Sequence, residues 1–209
     1  ASDGADPVAF RAVNVALHLL NAILLFLFLR SVCAETRLRT EFGAHADVLA
    51  LVMAAIWVVH PLQSQMIAYV TQRSGLLATA GMLGALLCYR RHGSAWGMAA
   101  VGLCGAAMLS KESAVVAPVA IWLVWRVLEP TAPTRWRRLG GLALTWLPLV
   151  WLLGTRPHGA TIGTGRGVTT WAYLLSQAET LPMYLRLIVW PAPLVLDYGP
   201  PDPDIGFAD

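Results

Sequence analysis

Charge is what this sequence has least of. Asp, Glu, Lys and Arg make up 13% of its 209 residues, against about 25% in a typical soluble domain. Apolar residues make up 57%. Intrinsic disorder needs the opposite balance and is excluded. Cysteine is scarce too. Cys33, Cys88 and Cys104 are an odd number, at spacings that suit neither a disulfide scaffold nor a metal site. Cys88 and Cys104 lie inside apolar runs, where a thiol behaves as a small hydrophobe. Glycine shows no three-residue period, which excludes a collagen-like fold. The basic residues are fourteen Arg and one Lys, and the net charge is +3. They are scattered between apolar runs and form no basic face, so no nucleic acid is expected as a partner. No phosphate-binding glycine loop, Ser–His–Asp set, HExxH or CxxC is present. Nothing reads as a signal peptide. The chain opens on ASDGADP and enters an apolar segment directly, as expected of an internal piece of a longer protein. The Arg, Ala, Gly and Leu bias points to a GC-rich bacterial genome.

What the sequence does have is apolar runs. Seven can be marked: Val8–Leu29, Ala46–Val59, Gly75–Tyr89, Ala95–Leu109, Ala114–Leu128, Leu139–Leu153 and Trp171–Trp190. A spanning helix needs about 20 residues and roughly 17 at least. Several runs are shorter and must borrow a turn from their flanks. The runs are rich in Ala and Leu and lack a period of two, which argues against strands. The expected fold is all-α, a polytopic transmembrane bundle of six or seven membrane helices plus a short interfacial helix. It forms one membrane domain over residues 7–198, with polar tails at 1–6 and 199–209.

Loop charge orients the array. Arg30, Arg37, Arg39, Arg90, Arg91, Arg126, Arg135, Arg137 and Arg138 fall in alternate loops. Arg11, Arg73, Lys111, Arg156 and Arg166 fall on the other side. The first set is placed in the cytoplasm and the N-terminus outside, which suggests a spanning helix upstream. Most tryptophans lie near segment ends, as in interfacial belts. Ala80, Gly81, Gly84 and Ala85, then Gly97, Gly102 and Gly105, give small faces for close helix packing. Pro118, Pro148 and Pro182 lie in or near apolar runs, where each removes a backbone donor and can kink its helix. Pro61 should end the second helix. Residues 63–73 are too polar to span, and Leu62, Met66, Ile67 and Val70 share a face, as in a helix lying in the outer interface or a tilted first half of the third span.

Polar residues in such a chain are the candidates for chemistry. Arg11, Asn14, His18 and Asn21 fall within an arc of about 80° on the first helix. They should face the protein interior, either bonding to neighbouring helices or lining a substrate cavity. His18 alone gives thin support to an axial haem or chlorophyll ligand. The richest outer cluster is His60-Pro61 with Gln63, Gln65, Tyr69, Gln72 and Arg73. Lys111-Glu112 forms a second, readable as a helix cap with a local ion pair or as a phosphate-binding point charge. His60, Arg73 and Lys111 are expected on one external face, around a groove open to the bilayer. Arg186 is a further candidate for an anionic headgroup, or a side chain reaching the interface from a helix end. A lone Asp197 beside Tyr198 reads as a solvated loop residue.

Four strings together resemble the membrane domain of the tetratricopeptide-linked O-mannosyltransferase-like proteins of the GT-C glycosyltransferase superfamily. They are FRAVNVALHLLNAILLFLFLR (10–30), HPLQSQMIAYVTQRSGLLA (60–78), LSKESAVVAPVAIW (109–122) and YLRLIVWPAPLVLDY (184–198). The resemblance implies transfer of a sugar from a polyprenyl-phosphate donor to a protein or glycan acceptor outside the cytoplasm. The donor phosphate would meet His60, Arg73, Lys111 and Arg186, and the cavity would be lined by Arg11, Asn14, His18, Asn21, Gln65 and Glu112. Localisation would be the bacterial inner membrane, with the site facing the periplasm. No cofactor is assigned, and a divalent metal ion stays open. The family's principal catalytic acid lies in a loop with no counterpart in this chain. Its acidic residues at the positions of Gln65 and Gly75 are neutral here. Its helical repeats are absent. The competing reading is a degenerate, non-catalytic subunit of a larger membrane complex. A transporter is the weaker alternative, for want of an inverted repeat and a midplane charge pair.

Overall fold

A computed structural model describes residues 7–35, 39–132, 135–155, 170–192 and 194. Every regular element among them is helical. We number the eight longer helices α1 (Pro7–Cys33), α2 (Ala46–Val59), α3 (Arg73–Arg90), α4 (Ser94–Ser110), α5 (Ala117–Leu128), α6 (Trp136–Leu144), α7 (Trp146–Thr155) and α8 (Thr170–Val189). The chain divides into two compact units, Ala1–Thr161 and Ile162–Asp209. The first holds α1–α7 and the second holds α8.

Small residues set the packing of the first unit. Ala46, Ala50 and Ala54 are buried on one face of α2, four residues apart. The opposite face leaves Val48, Leu51, Val52 and Ile56 exposed. On α3 and α4 the buried positions are again small: Ala85, Ala100, Cys104 and Ala107 have no exposed surface. Larger side chains close this core, with Tyr89, Met108, Ile121 and Trp125 at 1% exposure or less. A Cβ on Gly81 would lie 2.8 Å from the Leu103 carbonyl oxygen and 2.9 Å from Ala107 Cβ. The α3–α4 approach therefore requires a glycine there.

Two stretches, Val8–Cys33 and Arg39–Val59, are long and apolar enough to cross a membrane. The second joins α2 to a short helix at Arg39–Phe42 through a tight turn at Gly43–His45.

Three runs differ from the sequence expectation. The fifth begins as a 3₁₀ turn at Glu112–Val116, and Pro118 then falls in the first turn of α5. There a missing N–H is harmless and no kink results. The sixth breaks at Thr145 into α6 and α7. Pro148 has no N–H for the Leu144 carbonyl four residues back, and its ring crowds that oxygen. The polar stretch 63–73 is no continuous amphipathic helix. It forms a 3₁₀ turn at Pro61–Gln63, five α residues at Ser64–Ala68 and another turn at Val70–Gln72. Tyr69 is extended between the last two. The seventh run is one unbroken helix, α8, that carries Pro182 inside it. The tails 1–6 and 199–209, with Asp197, Tyr198, Arg37, Arg156 and Arg166, lie outside the described residues.

Candidate functional site

The polar stripe of α1 acts as a set of donors for backbone carbonyls of neighbouring segments. Asn14, His18 and Asn21 are buried at 0%, 3% and 0% exposure. Asn14 Nδ2 donates to the Tyr69 carbonyl at 2.9 Å and to the Ile67 carbonyl at 3.4 Å. Both acceptors lie in the broken segment before α3, where the Tyr69 carbonyl also accepts from Gln72 N at 3.2 Å. His18 Nε2 donates to Val58 O at 3.0 Å, one of the last carbonyls of α2. Its ring stacks on Trp57 with centroids 5.0 Å apart. Asn21 Nδ2 donates to Leu76 O at 3.0 Å. Arg11, the fourth member, is exposed. It stands about one turn beyond Asn14, outside the buried part of the stripe.

Arg73, Lys111 and His60 share the end of the bundle at which α2 and α4 finish and α3 begins. Arg73 turns to α1. Its Nε donates to Asn14 Oδ1 at 3.4 Å, its Nη2 to Phe10 O at 3.4 Å, and the guanidinium lies 5.1 Å from the centre of the Phe10 ring. Lys111 turns the other way, over Gly75. A Cβ at Gly75 would stand 3.3 Å from Lys111 Nζ, 3.4 Å from Met66 Cε and 3.6 Å from Gln72 Oε1. Residues 73 and 75 are about 200° apart around α3, so the two cations share an end while diverging around its first turn. His60 is extended, as a residue before proline prefers, and its Nδ1 accepts from Leu62 N at 3.2 Å. Glu112 is exposed at the head of the next turn, and Gln65 is half-buried in Ser64–Ala68. Among the described residues Lys111 makes no ion pair, so the local Lys111–Glu112 bridge does not form. No group of three His, Cys, Asp or Glu among them could hold a metal ion. Arg186 is exposed on α8, in the second unit.

The opposite end of the first unit holds a network that loop charge announced only as a count. Arg138 Nη1 donates to Tyr89 O at 2.8 Å and to Arg91 O at 2.6 Å, and its Nη2 to Gly93 O at 2.5 Å. Arg135 Nη1 joins it on Tyr89 O at 2.9 Å. Two arginines at the start of α6 thus cap the carbonyls that end α3, where positive charge is favoured. Arg90 pairs with Glu35 and bonds Ser31 O. Arg30 pairs with Asp47 at 2.5 Å. Arg135 stands 3.8 Å from Glu129. Repetition of Arg at residues 135–138, just before an apolar run, was the available signal. Its carbonyl partners carry no side-chain signature.

Three cavities lie away from Lys111. One of about 360 Å³ sits between α5 and α6, lined by Trp122, Trp136 and Trp146. A second of about 710 Å³ runs between α4 and α6. A third of about 570 Å³ is polar and lined by Glu35, Arg90, His92 and Glu129.

No family model matches the chain, and no solved structure gives a significant match. Over 118 residues, 54% of this chain, it is 33% identical to Protein O-mannosyl-transferase Tmtc1 of Drosophila melanogaster. The match covers 12% of that protein. It is a distant resemblance to an O-mannosyl-transferase over a small part of its length.

Proposed function

We propose that this chain is part of a membrane-embedded glycosyltransferase domain, taking a sugar from a polyprenyl-phosphate donor to an acceptor hydroxyl outside the cytoplasm. The partial likeness to a protein O-mannosyl-transferase supports the class. The exposed apolar faces of α1 and α2 support burial in lipid, since a soluble monomer rarely exposes so much contiguous apolar surface. In this reading α3–α7 supply further spans, and the arginine-rich end faces the cytoplasm.

The observation that carries the site is Lys111. Its ammonium lies over Gly75, a residue with no side chain to occupy the space, and no carboxylate among the described residues neutralises it. At the membrane surface it is a point charge for the donor phosphate, whose tail stays in the bilayer. A fixed cation there stabilises the phosphate as it departs. Arg73 is tied to Asn14 and Phe10 at the same end of the bundle, and Met66 and Gln72 lie with Lys111 around Gly75. A carboxylate must take the acceptor proton, and the family that this chain resembles carries it in a loop with no counterpart here. Lys111→Ala in the full-length protein should lower sugar transfer roughly tenfold or more. Stability should fall by no more than about 1 kcal/mol. Unchanged transfer would overturn this site.

Gly75 also favours a second reading. An acidic side chain there would meet Lys111 directly, and this chain lacks it. A subunit that holds the fold without turnover is consistent with that loss. Absence of transfer by the unaltered full-length protein, with its partner chains present, would decide for it.

A further inference from the structure

We infer that the groove between α4 and α6 binds an anionic glycerophospholipid from the leaflet at the arginine-rich end. The inference rests on the membrane reading proposed above. The groove has a volume of about 710 Å³ and is lined by glycines that let neighbouring side chains lie close along it. Gly141 approaches Val101 so closely that a Cβ would stand 2.8 Å from Val101 Cγ2. Gly97 lies under the stem of Arg138, its ideal Cβ 3.4 Å from Cγ. Gly102 faces open space, with nothing within 4 Å of where a Cβ would be. Met98 completes the apolar wall and is 69% exposed. Such a trough fits an acyl chain and has nothing to hold an inorganic ion along its length.

Its charge lies at one end and has one sign. Arg137 is exposed there. Arg138 is bonded to three neutral carbonyls, so its charge is not cancelled. Arg91 stacks on Trp96 at 4.3 Å beside them. Ser94 opens α4 at the same place, and no side chain caps that helix end. Its first amides add partial positive charge. A lipid phosphate would take Arg137 and the Ser94 hydroxyl while Arg138 keeps its carbonyls. A net negative headgroup is favoured over a zwitterionic one, because the cations at this mouth meet no acid among the described residues of the groove wall. The site is separate from Lys111, which follows the other end of α4, about 25 Å along the helix.

The test uses the full-length protein in phosphatidylcholine vesicles carrying spin-labelled phosphatidylglycerol or, in parallel, spin-labelled phosphatidylcholine. The expected result is a motionally restricted component that is larger for phosphatidylglycerol. Arg137→Gln should weaken that preference about fivefold. Gly102→Phe should reduce the restricted component for both lipids, with an unfolding midpoint no lower than that of the unaltered protein, since the ring enters open space. Equal restriction of the two lipids in the unaltered protein would overturn the site, as would an Arg137→Gln variant that keeps the full preference or a Gly102→Phe variant that keeps the full restricted component. Alkaline carbonate extraction separates the two claims. Protein retained in the membrane pellet with equal restriction overturns the lipid site alone. Protein released to the supernatant overturns the membrane reading and the site with it.

Discussion

Alanine at Gly81 and alanine at Gly102 should move stability in opposite directions, although both glycines sit in helix interiors. The new methyl at Gly81 would meet Leu103 O at 2.8 Å and Ala107 Cβ at 2.9 Å. One of those atoms is backbone, so relief requires α3 and α4 to separate. The methyl at Gly102 meets nothing within 4 Å. Each substitution gains about 0.8–1 kcal/mol of helix propensity. That gain cancels when the two are compared, leaving an overpacking cost of about 1–3 kcal/mol for Gly81. Gly81→Ala should therefore lose up to about 2 kcal/mol net, and Gly102→Ala should gain up to about 1 kcal/mol. Titration of purified protein from mild detergent into dodecyl sulfate, followed by circular dichroism, gives both free energies. Equal midpoints for the two variants would refute the argument, because the α3–α4 contact would then not be set by the glycine.

Arg138→Ala removes a donor shared by three carbonyls and should cost about 1–3 kcal/mol in the same titration; Arg138→Lys should recover only part, having lost the planar fork. Asn21→Ala strips the bond to Leu76 O and should cost about 0.6 kcal/mol, up to roughly 1.7, the range of interhelical bonds in a membrane bundle. Gly75→Asp should place a carboxylate against Lys111, and a double-mutant cycle with Lys111→Ala should give a favourable coupling of about 0.5 kcal/mol or more. A coupling of zero would mean that the ammonium does not stand over residue 75.

Helix α2 matched the apolar run Ala46–Val59 at both ends because local chemistry bounds it. A tight turn at Gly43–His45 precedes it, and His60 is held extended by Pro61. The sixth run shows what apolar composition hides. Leu139–Leu153 reads as one segment, yet a single proline three residues past Thr145 splits it. Hydropathy averages over that position, whereas backbone sterics do not. In 63–73 the side-chain period was helical, but the segment must turn from the end of α2 into the start of α3, and Tyr69 goes extended to do so. Tertiary connection overrode local periodicity there.

The buried polar stripe of the candidate site was legible to the extent that side-chain chemistry dictates position. Buried amides and an imidazole on one apolar helix have to find partners, and Asn14, His18 and Asn21 did. What the sequence could not say is that their partners are carbonyls, which every residue carries and no pattern marks. The same limit applies to Arg73 and Lys111. Chain order placed both at one end of the bundle, but two residues along α3 rotate a contact by about 200°. Arg73 consequently joins the α1 side, where Asn14 and Phe10 hold it, while the space over Gly75 is left to Lys111. Of the two, the cation without a partner among the described residues is the one free to meet a phosphate. In the reading proposed above, Lys111 is therefore the cation that meets the donor phosphate, while Arg73 ties the start of α3 to α1.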